Sequence, residues 1–371
     1  MNSRTRDMLS QVGKGMHERL YSRERSTSGD NSDVMSVDVE EWFHVLESPA
    51  APGVETWDSL ESRLEPNMDR ILELLDNHRV HGTFFWVGWL AERHTSLLKK
   101  CSEAGHEIAS HGYHHVLPYQ VGPDHFRSDI YKAKKVLEDI SGGPVLGFRV
   151  AGFGIKSDTR WAFDVIREVG YQYDSSVLPA QGGHGGISDS LLEPYFVETS
   201  SGYLLEVPMS VVTVFGHRMP MFGGGYLRLA SRRMLKWGIK RLHTLGQPLI
   251  VYFHPREIDP GQPRLPLRPL RRFKYYVNLR STMPKLKWLC RDYSFGTMTE
   301  LIESYIKSFY NESRSIQVVS LKGGRVGEAP LPVTEGPTDV VSKREGRKRP
   351  AAIEKALADF LKTYPKTLIT A

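Results

Sequence analysis

The chain has 371 residues, is 40% hydrophobic and 25% charged, and carries a formal charge of +6; these are proportions of a globular protein with room for one large α/β domain and its extensions, or for two ordinary domains. Its two cysteines, Cys101 and Cys290, exclude a disulfide scaffold, fit a reducing compartment and read as buried thiols. No apolar run approaches the ~20 residues of a membrane span, and the first thirty residues lack the apolar core of a signal peptide, so a cytoplasmic protein is expected.

Residues 1–32 are polar, rich in Ser and Arg and without periodicity, the composition of a disordered segment. In Met35 to Val45, MSVDVEEWFHV, the apolar residues Met35, Val37 and Val39 alternate with Ser36, Asp38 and Glu40. This predicts a strand that delivers both acids on one face. Met68, Ile71, Leu72 and Leu75 then recur at helical spacing behind Pro66, and Gly82 precedes a short strand at Thr83 to Val87.

The alternation continues with a helix at Ser96 to Ala104, a strand at His106 to Ser110, a long amphipathic helix through Phe126, Ile130, Ala133, Leu137 and Ile140, and a strand at Val145 to Arg149. Next come a helix from Asp158 to Val169, short strands at Tyr173 to Ser175 and Leu204 to Val207, a helix over Ser231 to Leu245 and the strand Leu249 to Phe253. Gly182, Gly183, Gly185, Gly186 and the run from Gly223 read as tight loops. Strands and helices at this spacing argue for a parallel sheet, open or closed as a barrel. A last helix, strand and helix end near Tyr310, so that 33–310 form the main domain. Residues 311–349 read as a linker, and 350–371 hold an amphipathic helix through Ile353, Ala356, Leu357, Phe360 and Leu361.

Burying Asp38 and Glu40 together requires a cation or a proton between them. His111 and His115, four apart in SHGYHH, share a face if the chain is helical there. HxxxH alone is a weak signal, but two histidines and a carboxylate from another strand form an open hydrolytic zinc site. Arg149, Asp174 and His254 also close strands, where groups of parallel α/β folds converge on a ligand. Taken singly they fit an ion pair and a capped histidine; as a set from separate strands they point to chemistry. Between Gly261 and Asp292, nine Lys or Arg face one acid, which suits a phosphorylated or lipid-linked substrate, a membrane surface or nucleic acid, or else a solvated basic face.

The motifs MSVDVEEWFHV, HGTFF, SHGYHH, GFRVAGFGI, YDSS and VYFHPREID, in this order, resemble those of the NodB-homology polysaccharide deacetylases, carbohydrate esterase family four. GGGYLR and SFGTMTELI are similar to the exopolysaccharide-locus branch without a signal peptide. The resemblance, over residues 33 to 305, implies a distorted (β/α) barrel with a divalent metal, usually zinc. It implies Asp38 as catalytic base and Glu40, His111 and His115 as metal ligands, Glu40 standing in where the commoner form of the motif would use position 39, here Val39. It also implies Arg149 orienting the base, His254 as catalytic acid, Asp174 as the partner of His254, and the Gly152 amide as a donor to the oxyanion. Ala151 replaces a usual proline and Arg256 a frequent aromatic.

Trp42, Phe43, Trp86 and Trp89 are able to stack on sugars, and Trp42 is the candidate retained. The implied activity is removal of N-acetyl groups from N-acetylhexosamine units of an exopolysaccharide or its lipid-linked precursor, at the cytoplasmic membrane face, with an anionic membrane as a peripheral partner and no nucleic acid. An allantoinase-like amide hydrolase and a catalytically silent carbohydrate-binding protein are the alternatives.

Overall fold

The computed structural model describes residues 33–310, 316–321 and 351–364. The expectation for residues 1–32, and that for most of 311–349, lies outside the described residues. In chain order the elements are β1 (Asp33–Val39), α1 (Leu64–Asn77), β2 (Thr83–Trp86), α2 (Gly88–Arg93), α3 (Thr95–Glu103), β3 (Glu107–Ser110), α4 (Pro118–Ser141) and β4 (Gly147–Phe148). They continue as α5 (Trp161–Val169), β5 (Tyr173–Asp174), β6 (Tyr195–Thr199), β7 (Gly202–Glu206), β8 (Val211–Val214), β9 (His217–Pro220), α6 (Gly224–Leu229), α7 (Arg232–Thr244) and β10 (Ile250–Phe253). The last are α8 (Pro269–Tyr276), α9 (Thr282–Asp292), β11 (Phe295–Gly296), α10 (Met298–Tyr310), β12 (Gln317–Ser320) and α11 (Ala351–Thr363).

The strand order is β10-β1-β2-β3-β4-β5-β7-β6-β12, with β11 on β1. Neighbours pair in parallel except at the β6–β7 hairpin. β1 is central and buried along its whole length, as the near-continuous apolar strand of a sheet covered on both faces must be.

The sheet curls so that the segment after β7 comes back to β10. Arg149, just beyond β4, reaches across the interior to Ser36 and Asp38 of β1. No ladder joins β7 to β10 among the described residues. Instead Ser210 Oγ donates to the Pro248 carbonyl and accepts from the Ile250 amide, both at 2.8 Å. Phe222 O accepts from Tyr252 N at 3.1 Å. The expected distorted (β/α) barrel is the observed fold, with side-chain and single-bridge contacts at its seam.

Three expectations are corrected. Residues 317–320, expected within a linker, form β12 and pair in parallel with β6, because Ile316 and the Val318–Val319 pair find an apolar edge to cover. The run from Gly223, expected as a tight loop, opens α6. Gly223 lies against the Tyr252 ring, where a Cβ would stand 1.9 Å from ring carbons, so the approach of this segment to β10 requires glycine. The third is the histidine loop: residues 111–117 are not helical, with Gly112 at φ +75° and His115 at φ +57°.

The terminal helix α11 docks on the hairpin. Ala356, Leu357, Phe360 and Tyr364 are buried, Phe360 meets Phe196 edge to face at 5.7 Å, and Asp359 accepts from the Tyr203 amide at 3.0 Å. Cys101 and Cys290 are buried, and burial pushes both thiols up to about 12. No helix among the described residues is long and apolar enough to cross a membrane.

Candidate active site

Every proposed site residue sits at or just after the carboxyl end of a parallel strand: Asp38 and Glu40 at β1, His111 and His115 after β3, Arg149 after β4, Asp174 in β5 and His254 after β10. The alternation of β1 decides which acids enter. Val39 points into the core, whereas Asp38 and Glu40 are 2% and 4% exposed within the site. Glu41 turns away, its carboxylate accepting from the Arg63 and Leu64 amides and from Ser62 Oγ, which caps α1.

Glu40 Oε1 is the point of convergence. It lies 3.2 Å from His111 Nε2, 2.9 Å from His115 Nε2 and 3.5 Å from His254 Nε2. His111 Nδ1–H donates to the Arg149 carbonyl at 2.7 Å, which orients the ring with Nε2 inward. His115 Nε2 is buried without a hydrogen-bond partner, and burial holds the pKa of His115 below its ordinary value against the pull of Glu40. One donor atom from each of Glu40, His111 and His115 lies within 4.8 Å of the others. Two imidazoles that turn Nε2 inward and one carboxylate, its pKa raised by burial but held well below normal by His254 and His115, fit a divalent cation. His114 turns out instead, 3.4 Å from Asp129.

Asp38 Oδ1 accepts from Arg149 Nη1 at 2.6 Å. Arg149 is fully buried and locked by the Ser36 hydroxyl, the Ser175 carbonyl and the Phe85 ring. Across the corner, His254 Nε2 stands 4.0 Å from Asp38 Oδ2. Burial depresses the pKa of His254, but the charges of Glu40 and Glu257 prevail over burial and the Arg256 charge and raise it above the ordinary value.

The expected partner of His254 is corrected. Glu257 Oε2 accepts from both the backbone amide and Nδ1–H of His254, each at 3.1 Å, in the 3-10 turn Pro255–Ile258. Glu257 Oε1 in turn lies 2.8 Å from Arg228 Nε. The Arg228 guanidinium is fixed by the Lys274, Tyr275 and Val277 carbonyls. Burial alone would raise the Glu257 pKa; Arg228 and His254 bring it down to about 2. Asp174 is instead hydrogen-bonded to its β7 neighbour Glu206 and accepts from Ser176 Oγ at 2.5 Å. Burial raises the pKa of both carboxyls; the hydrogen bond from Glu206 draws that of Asp174 back down while Asp174 pushes that of Glu206 further up, so the pair retains a proton. Asp174 therefore supports the Arg149 strand rather than the histidine.

Trp42 is corrected as a sugar platform. It is 6% exposed, packs edge-on against Phe43 and donates Nε1–H to the Glu61 carbonyl at 2.9 Å; neither ring face is open. Gly152 lies at φ +59° in the turn Ala151–Phe153, and a Cβ there would meet Leu46 Cδ1 at 2.6 Å. Glycine is thus demanded by packing as well as by conformation.

Three residues of the site escaped the sequence reading. Glu257 was legible as the N3 partner of an N-cap in His-Pro-Arg-Glu, the spacing of a capping box. Arg228 comes from α6 and had no local signal. His44, in the first motif, stacks on His115 with ring centroids 5.7 Å apart. Its Nδ1 accepts from the Glu41 amide at 3.3 Å, which leaves the proton on Nε2 of a ring kept neutral chiefly by burial.

Family models bear on this geometry. The model described as polysaccharide deacetylase matches residues 54–173. Over these residues the chain is similar to polysaccharide deacetylases. A model described as a domain of unknown function, DUF3473, matches residues 175–303. A peptidoglycan-N-acetylglucosamine deacetylase of Bacillus cereus is 32% identical over 103 residues, 28% of this chain and 46% of that protein. A peptidoglycan deacetylase of Helicobacter pylori is 24% identical over 114 residues, 31% of this chain and 38% of that one. The chain thus matches less than half the length of these relatives. The crystal structure of Puue allantoinase covers 77% of this chain and 93% of its own at 19% identity and a TM-score of 0.50, a likeness of fold.

Proposed function

We propose that this chain is a metal-dependent hydrolase of the polysaccharide deacetylase family that removes N-acetyl groups from N-acetylhexosamine units of an exopolysaccharide or its lipid-linked precursor. The observation that carries the reading is the placement of two proton-handling groups, Asp38 with Arg149 and His254 with Glu257, beside the corner formed by Glu40, His111 and His115. Amide hydrolysis needs a base for the attacking water and an acid for the leaving amine.

A cation held by Glu40, His111 and His115, zinc in our reading, would supply Lewis acidity toward the carbonyl oxygen and lower the pKa of water. Asp38, held in place by Arg149, accepts the proton from water as it attacks. His254, kept protonated by Glu257, donates from Nε2 to the departing amine, without which the tetrahedral centre returns to reactants. The Gly152 amide is a proposed donor to the developing oxyanion. Asp174 acts only through the strand it anchors.

The lipid-linked form of the substrate is favoured by α8, where Arg272 and Lys274 are exposed beside the exposed apolar side chains of Leu270 and Phe273. A short basic and apolar helix suits a cytoplasmic membrane face rich in anionic lipid. Not all of the basic stretch contributes: Lys285 is buried against the Leu227 and Arg228 carbonyls, and Arg271 binds the Leu46 and Glu47 carbonyls.

The test is acetate release from N-acetylated oligosaccharides and from lipid-linked precursors, with and without chelator. Release that the chelator abolishes and zinc restores is expected. Stoichiometric sugar binding with no acetate release in any condition would overturn the hydrolase in favour of a silent carbohydrate-binding protein.

A further inference from the structure

The wall of the site next to Glu40 is made by a cation. Arg256 is 8% exposed, its guanidinium stacks over the Tyr275 ring at 4.1 Å, and its Nε lies 3.8 Å from Glu40 Oε2, beyond hydrogen-bond range. Nε–H and Nη1–H of this side chain have no acceptor among the described residues, and neither has Nε2 of the nearby buried His44. Leaving such donors unpaired in a protein interior costs roughly 1–3 kcal/mol each, more for a charged group, so they are expected to meet an acceptor in the working complex.

The charges narrow what that acceptor is. Asp38 is matched by Arg149, and Glu257 by Arg228 and His254. Glu40 alone then faces both the Arg256 guanidinium and the cation that its histidine partners would help to hold. The corner is left with excess positive charge. A neutral sugar hydroxyl would satisfy an N–H but not this imbalance, whereas an oxyanion does both, and a guanidinium edge is shaped to receive one.

We propose that the substrate carries an acidic group, a carboxylate or a phosphate, on or beside the N-acetylated sugar, and that Arg256 is the residue that selects for it. The proposal rests on the deacetylase reading above. It assigns to Arg256 a specificity role, in binding an oxyanion of the substrate away from the reacting carbonyl.

The experiment uses the full chain loaded with zinc and three matched probes: an N-acetylglucosamine trisaccharide, the same trisaccharide oxidised to a carboxylate at a terminal C6, and the same trisaccharide phosphorylated there. Calorimetric binding to the Asp38→Asn variant, which binds without turning over, and acetate release by the parent chain are both read. At least one acidic probe is expected to bind about ten-fold or more tighter than the neutral one, equivalent to at least ~1.4 kcal/mol, and which of the two does so identifies the acid. Adding Arg256→Gln should reduce that preference to near unity, and Arg256→Lys should restore part of it.

Equal affinity for all three probes overturns the proposal, as does a preference that survives Arg256→Gln. Equal losses of kcat/KM on neutral and acidic probes in Arg256→Gln overturn it in favour of a role at the reacting carbonyl. Acetate alone binding as tightly as the acidic probes, with the same dependence on Arg256, overturns it in favour of product binding. Absence of acetate release from every probe refutes the deacetylase reading, while the binding arm still decides the acidic preference.

Discussion

At the scale of residues, adjacent histidines have opposite fates. His115 Nε2 turns in to Glu40 while His114 turns out to Asp129, a split imposed by the left-handed backbone at His115. His115→Ala and His111→Ala should each lower zinc occupancy by at least an order of magnitude, and His114→Ala should leave it within about two-fold, measured by metal analysis after dialysis against a weak chelator. Loss of zinc on replacing His114 alone would reverse the register of the loop. Glu257 makes a separate prediction through His254. Glu40, Arg256 and Glu257 are the charges that act on this ring, and a cation on Glu40 weakens its pull, so Glu257 becomes the carboxylate that holds the imidazolium. In Glu257→Gln the pKa of His254 should fall. Since the acid must be protonated to act, the alkaline limb of the kcat/KM profile should move to lower pH, with zinc content unchanged. An unmoved limb would show that His254 is not the acid or that Glu257 does not hold it.

At the scale of elements, the parts that sequence revealed are those whose physics is local. β1 was legible because two-residue alternation settles which side chains share a face, and with it both Asp38 and Glu40. α4 and α7 were legible because their apolar stripes repeat over several turns. β6, β8 and β9 were not, since each is four or five residues long and takes its partner from a hairpin. α2 opens on Gly88, whose packing against Tyr113 and Ala133 demands a residue that local propensity would reject. The partner of His254 was misassigned for a related reason: several acids end strands near it, and only the turn after β10 decides that Glu257 arrives first. α11 adds a prediction at this scale. It covers the β6–β7 hairpin with Leu357 and Phe360, so Phe360→Ala should destabilise the fold by about 3–5 kcal/mol. Denaturant unfolding measures this, and a loss below ~1 kcal/mol would mean that the helix contributes little to the domain.

At the scale of the whole molecule, the exposed face of α8 bears on the proposed membrane contact. The chain should sediment with vesicles containing anionic lipid at low salt, and the double reversal Arg272→Glu with Lys274→Glu should weaken this several-fold, each exposed cation contributing up to ~1 kcal/mol before screening. Arg271 and Lys285 are left intact because both are engaged within the fold. Unchanged sedimentation of the double variant, or none of the parent, would make this face an ordinary solvated one.

The Asp174–Glu206 pair bears on the pH at which the barrel is strongest. Burial raises both carboxyls above the ordinary values of 3.8 and 4.5, so the folded chain keeps a proton that the unfolded chain has already released. Between those ordinary values and the raised ones, the folded state binds more protons than the unfolded state. The contribution of the pair to stability is therefore fully present below the ordinary values and is lost as the pH rises from them through the raised ones. Glu206→Gln makes the shared hydrogen permanent, so its melting temperature should exceed the parent's by more at pH 8 than at pH 5, by about 2–4 °C for each kcal/mol gained. Scanning calorimetry at the two pH values reads the difference, and identical offsets would show that no proton is shared. A domain built over such a pair gives up that pair's contribution as the pH climbs toward the range where the proposed base and acid must work.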